Sequence, residues 1–523
     1  MLKIITSSKF KVLFIFLTVT FASIFLLLYL NIQSERSLPS QEWSRNIPLP
    51  VTTSNSLPFI YNDMEEYHIY SVNEEGISQL IIDDQFNLIK RSTINVDVPA
   101  FKPFWAKDNQ FIFIKDNNLI LYNGDKEQVL FNQADGLSAQ ANMILFWQEN
   151  KLFSVDQQSF EINLIEELDS NIESVVFDPD LSASFIVITN PDPSHFHLTL
   201  YQKNNINTYQ ALSLFTITEY PGETISDFQF AKNESDINII YTTYSIKQGI
   251  ITYRAYYTNL LLTNIEESPS FEQIRIYEEN SAIAFKNPRY LQLTLKNNQL
   301  TLLFSANGFI SDKENGINIY QAKYTNNKWV ANKLSKTRSM SVRPLRLNDE
   351  TILWLDFEAK DKYSLKGTST DSNIIKESQN ISSNDIYYSL SNTLLSMSVS
   401  LLVLFNVFIW VFPPTIFILI LFFINLRIVE ENTPWVKYTT LALYLITQLL
   451  YMQNIFNDNF SVIAPSYFKF PGNFIIIPLL IGGLTYLFVN YSKNNEWDIM
   501  KEILYFIGLN AWMITIFLGP YIL

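Results

Sequence analysis

The sequence predicts an all-β propeller of about seven four-stranded blades joined to an α-helical transmembrane domain. Three stretches carry that prediction: residues 101–131, the apolar run at 12–32, and the apolar segments beyond residue 387. Residues 101–131 read FKPFWAKDNQFIFIKDNNLILYNGDKEQVLF. An apolar-aromatic strand at 103–106 meets a polar turn at 107–109, and a second strand follows at 110–115. The turn Asp116-Asn117-Asn118, a strand at 119–122, the turn Asn123-Gly124 and a strand at 128–131 complete the unit. Short strands separated by Asn, Asp and Gly form an up-and-down antiparallel sheet. One such sheet cannot bury both faces without neighbours of its own kind, the condition that builds propellers.

Phe104-Trp105-Ala106-Lys107-Asp108 resembles the aromatic strand and Asp-containing turn of TolB-type (WD40-like) β-propeller blades, without that family's Ser, Pro and Gly. Phe177-Asp178-Pro179-Asp180 and Phe230-Ala231-Lys232-Asn233 echo it. The resemblance implies a fold and carries no activity. Further units are expected to begin near residues 57, 102, 141, 173, 224, 282 and 342, a spacing that brackets one blade. Recurring aromatics such as Trp105, Phe146, Phe228, Trp354 and Phe357 are expected to pack between blades, because large rings supply the area needed there.

Before this region, Lys3, Lys9 and Lys11 precede an uncharged run at 12–32. At about 1.5 Å per residue the run spans about 32 Å, close to the roughly 30 Å hydrocarbon core. It is longer than a signal-peptide apolar region and lacks a small-residue cleavage site, which reads as an uncleaved anchor with a cytoplasmic N-terminus. Residues 33–55 are rich in Ser, Pro and Asn and read as a linker, and 56–386 as the extracytoplasmic propeller. Residues 387–523 read as a helical membrane domain. Its spans number four, or five if Pro413-Pro414 forms a hairpin. Arg427, Lys437, Lys493 and Lys501 flank one set of loops, and the positive-inside tendency puts them in the cytoplasm, favouring four spans after the anchor.

The formal charge of -14 is concentrated in the middle of the chain, where it reaches -16, against +3 before residue 33 and -1 beyond residue 386. That excess argues against nucleic acid or anionic lipid as a partner of the middle region. The bilayer and a protein in the membrane or envelope are the expected partners. Cysteine is absent, which excludes disulfides, thiolate metal sites and lipoprotein acylation. A large exported domain without disulfides suits a bacterial plasma membrane and envelope.

No nucleophile elbow, P-loop, H-E-x-x-H, EF-hand loop or dinucleotide fingerprint occurs, so no catalytic residue and no cofactor is expected. His195 and His197 share one face of a strand, and with Asp192 they form the single candidate metal constellation, short of a third or fourth ligand. Asp178 with Asp180, Asp83-Asp84 and Glu278-Glu279 read as turn carboxylates. The apolar segments hold no charge; Asn406, Gln448 and Asn473 are the candidate intramembrane contacts. The sequence thus favours a binding, sensing or assembly platform partnered with another membrane protein. An envelope hydrolase or lyase using funnel carboxylates is the alternative, and a transporter component a weaker one.

Overall fold

The computed structural model describes residues 8–54, 57–63, 66–124, 126–179, 184–204, 208–265, 269–279, 284–311, 314–424, 427, 431, 433–456, 460, 464–494 and 497–522. Asp180 and the expected unit start at Ala282 lie outside the described residues. The chain forms two compact units, Leu38–Gln379, and Met1–Ser37 with Asn380–Leu523.

The unit 38–379 is a seven-bladed β-propeller, with six four-stranded sheets and one of five strands. Blades 1 to 5 are consecutive antiparallel sheets over 59–94, 104–132, 136–167, 171–218 and 224–273. Blade 6 spans 289–333, and Ile276–Glu278 adds a parallel fifth strand at its outer edge. The first strands of successive blades contact one another, so they line the central channel. Turn chemistry explains much of this order. Asp108-Asn109, Asp116-Asn117, Asn297-Asn298 and Asn326-Asn327 each hold both residues at positive φ. That is the two-residue hairpin turn whose twist matches the flanking strands, and Asn and Asp tolerate it best among residues with a side chain.

Blade 7 is closed by the chain's beginning. Its order places Ile47–Thr53 outside Lys362–Ser369, Thr351–Ala359 and Ser341–Arg346. The expected linker at 33–55 therefore contains a strand. Leu49, Val51 and Thr53 alternate inward, while Pro48 and Pro50, which have no N–H to give, sit on an outer edge where the register is interrupted between Pro48 and Thr52. Blade 3 begins at Gly136, before the expected Ala141. A Cβ on Gly136 would meet the Trp147 ring at 2.0 Å, so only glycine fits this strand. Trp105, Phe146, Phe228 and Trp354 are buried between sheets, with Phe146 and Phe153 stacked at 4.9 Å. Phe357 differs, being 38% exposed.

The other unit is helical: α1 (Ser8–Arg36), α2 (Ser383–Ser400), α3 (Leu404–Ile424), α4 (Pro434–Ile455), α5 (Asn473–Ser492) and α6 (Ile499–Leu518). A reciprocal capping box between Ser382 and Asp385 starts α2, so the unit begins at 380, slightly before the expected 387. Four stretches among the described residues are long and apolar enough to cross a membrane: Phe10–Arg36, Ser383–Ile424, Asn473–Ser492 and Ile499–Tyr521. The second runs as 42 residues through Pro413-Pro414 without reversing. Helix α4 is as long as α5 but more polar. Phe405, Phe408, Phe412 and Phe423 are exposed on α3.

The helix ends sort by charge. Lys11 donates to the Tyr491 carbonyl at 3.3 Å, and Glu502 pairs with Lys437 and lies 4.0 Å from Lys493. The starts of α1, α4 and α6 and the end of α5 thus share one basic end. Asn31, toward the other end of α1, donates to Thr393 of α2 at 2.9 Å.

Candidate functional site: the central channel of the propeller

The inner strands of blades 1, 2 and 3 pair with their neighbours in unbroken register. Those of blades 4 to 7 do not. Each is interrupted by a bulge, between Ile172 and Ser174, Ile225 and Asp227, Arg289 and Gln292, and Val342 and Leu345. A bulge leaves extra residues unpaired and re-aims their side chains. Here the re-aimed residues of blades 5, 6 and 7 line a cavity of about 410 Å³ in the channel.

Two arginines dominate its chemistry. Arg289 lies over the Tyr253 ring at 4.5 Å, and Arg343 over the Tyr290 ring at 5.2 Å. Among the described residues neither guanidinium forms an ion pair, and Arg343 Nε is buried without a hydrogen-bond partner. The backbone is strained at the same places, with φ of 53° at Tyr290 and 52° at Arg343. A left-handed conformation in a residue with a side chain costs on the order of 1–3 kcal/mol and clusters at functional sites.

Asp227 is the one carboxylate lining the cavity. It is half-buried and accepts long bonds from Gln229 Nε2 at 3.3 and 3.4 Å. Burial raises its carboxyl to about 6, against the opposing pull of Gln229, the Phe228 N–H and Arg343. Ser226, Thr242 and Gln292 supply neutral polar surface, and Ser226 donates to the Thr242 carbonyl at 3.1 Å.

The residues singled out from sequence lie elsewhere. Asp192 and His195 hold each other in a hairpin turn, with His195 Nδ1 2.8 Å from both carboxylate oxygens. That contact and the Ser194 N–H hold the Asp192 carboxyl down at about 2. His197 contacts Thr216 Oγ1 through Nδ1 and Ser213 Oγ through Nε2, each at 3.1 Å, so its nitrogens are occupied. The described residues contain no group of three His, Asp or Glu able to hold a metal. Asp83 accepts from the Gln85 and Asn87 backbones, a turn role. Asp178 is buried against Ser184, and Glu278 lies 3.9 Å from Lys333.

In the helical unit, Gln448 is buried in a network. It donates to Asn510 Oδ1 at 2.8 Å, as does Tyr444 at 3.0 Å, and Asn510 donates to Thr485 at 3.4 Å. Asn473 donates to the Phe468 carbonyl at 2.7 Å, bracing the turn before α5. Asn406 is exposed on α3.

Sequence reading missed Arg289, Tyr290, Arg343 and Asp227, which converge from three blades. One local signal was present. Pro344 follows Arg343 inside an inner strand, where proline is tolerated at a bulge.

No protein-family model matches the chain, and no curated protein matches it in sequence. Solved structures to which it is similar lie at low identity. The N-terminal domain of Nup159 is 10% identical with a TM-score of 0.37, covering 63% of this chain and 96% of that one. The Cps50 (Swd1) β-propeller domain of Myceliophteria thermophila is 6% identical with a TM-score of 0.35, covering 61% and 98%. The extracellular domain assigned to the hybrid two-component system BT4673 of B. thetaiotaomicron is 13% identical with a TM-score of 0.36, covering 62% of this chain and 39% of that one. The chain is a seven-bladed β-propeller carrying helices long and apolar enough to span a membrane.

Proposed function

We propose that this protein is a membrane-anchored binding platform of a bacterial cell envelope, its propeller extracytoplasmic and its helices docked to another membrane protein. The observation that carries the binding role is the channel cavity. Carboxylates about 5 to 10 Å apart would equip it for glycoside-type hydrolysis. Instead Asp227 stands alone among arginines, tyrosines and neutral polar groups, a lining suited to holding a ligand. The gathering of Lys11, Lys437, Lys493 and Lys501 at one end of the bundle favours a cytoplasmic position for that end. In the chain, residues 38–379 follow the C-terminal end of α1 and precede the start of α2. A kinship with TolB-type blades, on the pattern Phe104 to Asp108, belongs to the same reading.

Crosslinking followed by affinity purification of the full-length protein from its native membrane tests it. A defined membrane-protein partner is the expected result; recovery of the protein alone would contradict the platform. The cysteine-free chain gives a clean companion test of orientation. Lys328→Cys should react with a membrane-impermeant maleimide on intact cells and Lys501→Cys should not. The reverse pattern would overturn the orientation.

A further inference from the structure

We propose that the propeller channel binds a small anion, a molecule presenting a carboxylate or phosphate group to Arg289 and Arg343. This deepens the binding-platform reading and rests on it.

Over residues 38–379 acidic side chains outnumber basic ones, but residues 284–346, which carry Arg289 and Arg343, hold more basic than acidic side chains; among the described residues neither arginine forms an ion pair. Elsewhere in the same fold the pairing is made: Arg254 bonds Glu223, and Lys366 bonds the buried Asp356. Leaving the Arg343 Nε–H buried without an acceptor forfeits a hydrogen bond. An incoming oxyanion supplies acceptors, and a planar guanidinium matches a carboxylate or phosphate edge with two parallel bonds.

Both guanidiniums are held against tyrosine faces. Stacking restrains the fork and desolvates one side while the N–H donors at its edge remain available. The positive φ at Tyr290 and Arg343 is a second, independent feature. An ordinary strand there would need no strain, and the bulges that create it bring these side chains into one cavity.

Size and field select the ligand. About 410 Å³ fits a small molecule. The net acidity of the propeller as a whole argues against extended polyanions, while the basic excess at 284–346 offers a small anion local positive charge. The lone carboxylate, Asp227, weakens that charge least where burial favours its protonated form.

The test is arginine footprinting of the full-length protein by phenylglyoxal and mass spectrometry, with inorganic phosphate or succinate added and chloride at equal ionic strength as control. At ten times its dissociation constant, a bound anion slows modification of Arg289 and Arg343 about tenfold by mass action. The exposed Arg91 serves as the internal reference. Protection by phosphate alone assigns the phosphate class, by succinate alone the carboxylate class, and by both the shared chemistry. Protection by neither, or equal protection of Arg91, overturns the proposal. Arg343→Gln should abolish protection at Arg289; if that variant does not fold, the wild-type footprint decides alone. Absent protection in a protein that retains its membrane partner defeats the anion site and leaves the platform standing. Protection without a partner does the opposite.

Discussion

Blades 1 to 3 and blades 4 to 7 are built from similar sheets, yet they treat the channel differently. In the first group the inner strands keep register with their neighbours, and the aromatic side chains of all three blades merge into one core that includes Trp105, Phe111 and Phe146. In the second every inner strand is bulged, and in blades 5, 6 and 7 polar or charged residues face the cavity. Regular pairing buries side chains between sheets. Interrupted pairing frees them for the channel. The first group is scaffold and the second carries the site, at a cost in local backbone energy.

The largest test of that division lies in the scaffold. Trp105→Ala empties a fully packed position and should cost about 3–5 kcal/mol of stability in denaturant titration. Below its melting temperature the variant should still show anion protection at Arg289 and Arg343. Loss of protection in the folded variant would mean the two groups of blades are not separable.

Asp227 gives the next effect. Burial raises its folded-state carboxyl to about 6 from an ordinary value near 3.8, so the folded chain holds this proton more tightly than the unfolded chain. The associated stability is fully present below about pH 4 and is lost as pH rises through about 6. Arg343 and Arg289, from blades 7 and 6, share the cavity with it, as do Tyr253 and Tyr290. Asp227→Asn should stabilise the protein at about pH 7.5 by about 2 kcal/mol and leave it unchanged near pH 4. A melting curve that shifts equally at both pH values would contradict the burial.

The smallest effect probes the bulge itself. In a regular strand alanine is favoured over glycine by about 0.5–1 kcal/mol. At Arg343, with φ of 52°, the order should invert, and Arg343→Gly should melt higher than Arg343→Ala. The ordinary order would show that the left-handed conformation is absent.

Much of the scaffold was legible because its signals are local. The strand at 110–115 and the turn at Asp116-Asn117 follow from alternation and from residues that tolerate positive φ. The closing strand Ile47–Thr53 was hidden by Pro48 and Pro50, which read as linker until the outer-edge position explains them. Blade 3 was read late because Gly136 has low strand propensity and is explained by a distant ring, that of Trp147. The site was illegible for a related reason. Arg289 and Arg343 belong to different blades, and a bulge leaves little mark beyond a proline such as Pro344. Asp192, His195 and His197 had local spacing in their favour, but neighbouring hydroxyls and each other already satisfy them.

Hydrogen exchange of the full-length protein with and without inorganic phosphate or succinate tests the division of the propeller most directly. Slowed exchange is expected in the inner strands Thr224–Lys232, Arg289–Lys296 and Ser341–Arg346 with at least one of the two anions, and no change in Phe59–Asp63, Phe104–Lys107 or Gly136–Gln140. Slowing spread evenly over all seven blades, or confined to the first three, would contradict it.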